Sequence, residues 1–177
     1  MTHSPPTRLL VLGGARSGKS LYAERRARAL DGAPVYIATG QAFDAEMAER
    51  IALHRAQRGP GWRTVEAPLD LVDAVQREAR AGQVVLVDCL TLWISNLMLA
   101  DRDPEAETGL LLDALGGVEG PVILVANEVG LGIVPDNALA RRFRDAAGRI
   151  NRRIAEIADE VQFIAAGLPL TLKQGPS

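Results

Sequence analysis

Cysteine, lysine and histidine are scarce in this 177-residue chain. The single cysteine, Cys89, cannot close an internal disulfide, and no cysteine and histidine spacing makes a zinc site. That thiol usage suits a reducing compartment. The N-terminus lacks the charged-then-apolar order of a secretion signal, and no apolar run approaches the ~20 residues that cross a bilayer. A soluble, cytoplasmic protein without membrane insertion is expected. Charge of one sign is lacking as well: 20 basic residues stand against 22 acidic ones, a net of −2. This excludes a globally basic nucleic-acid binder and leaves room only for a local cationic patch. Among the basic residues only Lys19 and Lys173 are lysines.

At roughly 150 residues per domain, residues 1–177 form one domain, with residues 1–7 expected to be disordered. A domain of this size buries about 70% of its unfolded surface and needs no disulfide or structural metal. Short β-branched and Leu-rich runs read as buried strands: Arg8 to Gly14, Pro34 to Gly40, Gln83 to Cys89, Pro121 to Glu128 and Glu160 to Gly167. Trp62 to Pro68 reads as extended, and LPLTL as a possible edge. Helical patterns separate them: Ser17 to Leu30 with a glycine cap at Gly32, Asp44 to Gly59, Leu69 to Gly82, the apolar stretch 90–100, and Asp136 to Ala158. The polar stretch from Asp101 to Glu107 reads as a surface loop before a helix ending at Gly116 and Gly117. Such alternation predicts an α/β fold, a mostly parallel sheet with helices on both faces in three layers. Right-handed crossovers then gather the strand ends Gly13, Thr39, Asp88, Asn127 and Gly167 into one crevice.

GGARSGKS, residues 13–20, matches G-x-x-x-x-G-K-[ST] between a strand and a helix, the context a phosphate loop requires. Gly13, Gly14, Ala15, Arg16, Ser17 and Gly18 would curl backbone N–H groups round a nucleotide phosphate. Lys19 would neutralise the terminal phosphates, and Ser20 would hold Mg²⁺. Asp88 ends a four-residue apolar run, as a second Mg²⁺ ligand would; a helix cap or an ion-pair partner fits there too. Cys89 reads as a small buried residue. His54 is the only histidine outside the N-terminal tail. At helical spacing Arg50, His54 and Arg58 share a stripe, with Arg55 beside it and Arg63 beyond the turn. The stripe suits phosphate binding and a neutral nucleophilic imidazole, and suits equally a solvated basic face with an incidental histidine.

Guanine recognition by Asn-Lys-x-Asp is absent, ANEVG (126–130) standing in its place. A small-molecule kinase and a nucleotide-dependent switch both remain compatible with the loop and the size. Several segments together resemble one family: GGARSGKS, YIAT, AERIALHR, WRTVEAP, DCLTLWISN, NEVGLGIVPDN and RRFRDAAGRINRRIA, from Arg8 to about Lys173. That family is adenosylcobinamide kinase/adenosylcobinamide-phosphate guanylyltransferase, of cobalamin biosynthesis. The resemblance implies a P-loop NTPase fold of the RecA-like kind, ATP and GTP as substrates, and two reactions. The first phosphorylates adenosylcobinamide, and the second transfers GMP from GTP to the product through a guanylylated histidine, which here is His54. Nucleotide contacts carry over to Ala38, Thr39, Gly40, Arg55, Ala56, Gln57, Arg58, Glu66 and Asp88, and a homotrimer is implied. The stretch around Asp101 to Glu107 is short for the family.

Overall fold

Strand alternation sorts the side chains of one sheet into two cores. In the computed structural model the described residues are 7–42 and 44–174, and the side chains of Arg50, His54 and Gln57 lie outside that description. Apart from Thr7, the expected disorder of residues 1–7 also falls outside it. The elements run β1 (Arg8–Gly13), α1 (Lys19–Arg28), β2 (Ala33–Ala38), α2 (Ala45–Arg58), β3 (Arg63–Glu66), α3 (Leu71–Glu78) and β4 (Gln83–Asp88). They continue with α4 (Leu90–Leu99), α5 (Pro104–Gly116), β5 (Val122–Asn127), α6 (Ala138–Ile157), β6 (Glu160–Ala165) and β7 (Leu168–Lys173). The sheet order is β3-β2-β4-β5-β1-β6-β7. All pairings are parallel except β6 with β7, the expected edge.

Leu10, Leu12, Val35, Ile37, Val85, Val87, Leu124 and Ala126 face one core with α3, α4, α5 and α6. The residues between them, Leu9, Val11, Val84, Leu86, Ile123 and Val125, face α1. A period of two with both faces covered is why these strands read as unbroken apolar runs. The apolar stretch at 90–99 forms the expected buried helix, with Trp93 wholly enclosed and its indole N–H donating to the Leu69 carbonyl at 2.9 Å.

Two boundaries differ from the sequence expectation. The loop expected over Asp101 to Glu107 is half helix: Asp103 caps α5 by accepting from the Glu105 N–H at 2.9 Å, with Pro104 in the first turn. Local polarity there signals a helix start, which an Asp followed by Pro favours. Helix α1 closes at Ala29 through backbone bonds to Arg25 and Arg26, so Gly32 is no cap and instead leads into β2 at φ +146°. A Cβ at Gly32 would meet the Gly82 carbonyl oxygen at 3.1 Å.

Ion pairs tie the start of β6 to β1 and α1. Arg26 on α1 clasps Glu160 through two bonds of 2.7 Å, and Arg8 holds Asp159 through its guanidinium and its own N–H. Hydrogen bonds from Arg26 hold Glu160 below the usual carboxylate range, and those from Arg8 do the same for Asp159. A depressed folded pKa contributes stability above the unfolded value, about 4, and loses it as pH falls through the folded value. Glu160→Gln is therefore expected to lower Tm at pH 6, by on the order of 1 kcal/mol of stability, and to match the wild type near pH 2. Thermal melts across that range check it. An unchanged Tm gap at low pH would detach the pair from the acid response.

Candidate active site

The phosphate loop is built by glycine at the points where no other residue fits. A Cβ on Gly13 would lie 2.5 Å from Ser17 Oγ and 2.7 Å from the Ile164 carbonyl oxygen. Gly18 adopts φ +92°, and a Cβ there would come within 3.2 Å of Gly167 Cα. Gly167 belongs to the two-residue turn between β6 and β7, and its N–H donates to the Ser17 carbonyl at 2.8 Å. The terminal hairpin thus buttresses the loop from behind. Arg16 is left-handed as well, at φ +54°. Gly18 caps α1 without a side-chain bond, and no acidic residue occupies the first turn, so the helix N-terminus keeps its donors for an anion. Lys19 is buried and its ammonium donates to the Gly14 carbonyl at 3.1 Å, spanning the loop.

Asp88 closes β4 beside β5, level with Val125 and so two residues short of Asn127, the partner of Gly13. The Tyr36 hydroxyl donates to Asp88 Oδ2 at 2.8 Å. Burial, followed by the Asp88 charge, pushes the Tyr36 phenol far above its usual pKa, so it stays a donor. On the ring of Tyr36 lies the Arg58 guanidinium, its carbon 3.3 Å from the centroid. Arg58 is 6% exposed, and among the described residues its Nε and Nη1 are buried without a hydrogen-bond partner. Desolvation lowers its pKa, opposed by Tyr36, Glu24 and Asp88. The end of α2, one turn after His54, is thereby seated against the residue that orients Asp88.

Helix α4 fastens the neighbouring strand ends. Asn96 donates to the carbonyls of Thr39 at 2.7 Å and Pro68 at 2.9 Å. The Thr39 hydroxyl accepts from the Cys89 N–H and donates to the Cys89 carbonyl, while its own N–H bonds the Asp88 carbonyl. Thr39 is thus a clasp whose polar groups are committed within the fold, with Ala38 and Gly40 on either side. Thr91 accepts from the Asn127 N–H at 2.7 Å. Cys89 is buried as expected, and desolvation pushes its thiol up to about 11, which leaves it neutral and unreactive.

The anticipated cationic stripe divides. Arg58 turns inward, Arg55 reaches Glu66 at 3.5 Å on the surface, and Arg63 pairs with Glu78 of α3 instead of joining the stripe. Arg55 and Arg63 each follow a nearby carboxylate and Arg58 an aromatic ring, partners that helical spacing does not reveal. Glu66 ends β3 and is exposed, as is Ala56. The backbone of α2 carries His54 and Gln57 within the helix; their side chains, with that of Arg50, fall outside the described residues. Tyr36, Asn96 and Asn151 were not singled out by the sequence, where each sits inside an apolar or helical run.

A glycine-built loop with an enclosed lysine, with an acid at the carboxyl end of a strand two places along the parallel sheet, defines a P-loop nucleotide-binding fold. Residues 9–172 match the family described as cobinamide kinase / cobinamide phosphate guanyltransferase, and the chain belongs to that family. It is 53% identical over 170 residues to the bifunctional adenosylcobalamin biosynthesis protein CobP of Pseudomonas aeruginosa, covering 94% of this chain and 98% of that protein. It is 42% identical over 181 residues to the bifunctional adenosylcobalamin biosynthesis protein CobU of Escherichia coli, covering 93% and 99%. The Salmonella typhimurium protein of the same name is 42% identical over 183 residues, covering 93% and 99%.

Proposed function

We propose that the chain phosphorylates adenosylcobinamide with ATP or GTP and then transfers GMP from GTP to that phosphate, with His54 as the guanylyl carrier. Family membership over residues 9–172 carries this reading, laid on a crevice whose phosphate loop can serve both steps in turn. In the guanylyl transfer a neutral His54 nitrogen attacks the α-phosphorus, and the bond from that phosphorus to pyrophosphate breaks. Negative charge gathering on the leaving group meets Lys19 and the loop N–H groups. The phosphate of the corrinoid then displaces the histidine, so two bulky reactants use one crevice successively. Arg55, Gln57 and Arg58 follow the histidine closely enough to hold the nucleotide, with Ala38, Gly40 and Glu66 along the neighbouring strand ends. The orphaned nitrogens of buried Arg58 support this.

Ser20 and Asp88 offer hard oxygen donors suited to Mg²⁺. Tyr36 occupies only Oδ2 of Asp88, and among the described residues Oδ1 has no hydrogen-bond partner. No group of three or more His, Cys, Asp or Glu side chains forms among the described residues. A site completed by substrate phosphates and water fits that donor set. When bound there, Mg²⁺ would supply neutralisation of the departing phosphate charge. Self-association into the trimer that the resemblance implies is supported by the β5–α6 loop, where Leu131, Ile133 and Val134 are exposed, Ile133 at 97%. No described helix is long and apolar enough to cross a membrane, and we place the enzyme in the cytoplasm with its one thiol reduced.

Incubation with GTP labelled at the α or at the γ position tests the mechanism. The protein is expected to take acid-labile label from the α position only, while cobinamide takes phosphate from γ and then, as GMP, label from α. A simple kinase would never label from α, and a nucleotide switch would turn over no cobinamide.

A further inference from the structure

The kinase half-reaction needs a group to take the proton of the attacking hydroxyl, and three carboxylates stand at or one residue past the carboxyl ends of parallel strands among the described residues. Glu66 ends β3, the far edge, four strands from β1, or about 19 Å at the usual strand spacing. It is exposed and faces Arg55. Asp88 is two strands away, about 10 Å, and one of its oxygens already accepts the Tyr36 hydroxyl. A carboxylate used as a metal ligand has little remaining basicity for a substrate proton.

Glu128 is placed differently. It follows Asn127, the β5 residue in register with Gly13, and its own N–H donates to the Gly13 carbonyl at 3.1 Å. Its backbone is therefore stitched to the first residue of the phosphate loop, on the strand between β1 and β4. The side chain is partly buried and aimed by the α6 residue Asn151, which is itself 5% exposed. One Asn151 amide nitrogen donates both to the Asn127 carbonyl at 3.2 Å and to Glu128 Oε1 at 3.1 Å. Among the described residues Glu128 Oε2 has no hydrogen-bond partner. A carboxylate with one oxygen anchored and the other unengaged beside the phosphate cradle has the form of a general base.

We propose that Glu128 is the general base of the kinase step, an assignment that rests on the kinase reading above. The hydroxyl oxygen of the corrinoid side arm bonds to the γ-phosphorus as its proton passes to Glu128 Oε2. The bond from that phosphorus to the β–γ bridging oxygen breaks, and its electron pair leaves on the nucleoside diphosphate. Glu128 afterwards returns the proton to solvent. Guanylylation of His54 removes no hydroxyl proton at that point, so the two half-reactions should separate.

The test uses the full chain with γ-labelled ATP and cobinamide, and with α-labelled GTP alone. Glu128→Gln keeps an acceptor for Asn151 but cannot take a proton. It is expected to lower kcat of the kinase step by about 10²–10⁴-fold, with the KM for ATP within about threefold, while α label still reaches the protein. In Glu128→Ala, added formate is expected to restore part of the kinase rate, since a small carboxylate can fill the space left. Kinase turnover of Glu128→Gln within tenfold of wild type would overturn the assignment. So would an equal loss of both half-reactions, or a Glu128→Ala variant that formate does not rescue. A wild-type chain that transfers no γ label to cobinamide would overturn the kinase reading itself and the assignment with it.

Discussion

Lys19→Ala is expected to abolish both half-reactions, each falling at least about 10²-fold, because one ammonium serves the phosphates in both. Its position explains why. Lys19 is buried within the loop it neutralises, and its reach to the Gly14 carbonyl shows the ammonium lying across the loop. Lys19→Arg should fail nearly as badly. A planar guanidinium carries its charge over a wide fork, and this loop is so tight that even a Cβ on Gly13 or Gly18 would crowd Ile164 or Gly167. Transfer of γ label to cobinamide and of α label to protein measures the two losses separately. Kinase turnover within tenfold of wild type in Lys19→Ala would show that the loop is not the shared phosphate site.

His54→Ala is expected to divide the two activities completely. No α label should reach the protein and no GMP should reach cobinamide phosphate, while γ label still reaches cobinamide. The nucleophile of the first transfer disappears, and the remaining side chains of α2 offer no second imidazole, since His3 is the chain's only other histidine. The helix should survive the change: Asp44 caps it through the Met47 N–H at 2.7 Å, and Arg58 anchors its far end on Tyr36. Alanine is a strong helix former, so circular dichroism should be unchanged. Persistent acid-labile α label in this variant would move the guanylyl carrier to another residue.

Much of the site was legible because its chemistry is local. The phosphate loop lies within eight consecutive residues, and its strand before and helix after are set by adjacent sequence. Asp88 was legible for a similar reason, an acid ending an apolar run. Tyr36 was not, because YIA reads as strand core, and only the approach of β4 brings its hydroxyl to a residue 52 positions away. Asn96 likewise sits inside an apolar helix, and its role depends on two strand ends 57 and 28 residues distant. Arg58 was expected on a stripe with His54, and only the packing of α2 against β2 sets its guanidinium on the Tyr36 ring.

By itself the sequence determined the order of strands and helices, the phosphate loop, the acid at the end of β4, and, through resemblance, the family. These follow from hydrophobic period, glycine geometry and contiguous motifs, all of which act over a few residues. Only the tertiary structure decided that β5 lies between β1 and β4, and therefore that Glu128 and not Asp88 is stitched to Gly13. It also decided which arginines turn inward and which polar side chains clasp the strand ends. Strand order and side-chain pairing depend on contacts between distant residues, and no local pattern in the chain encodes which of them will meet.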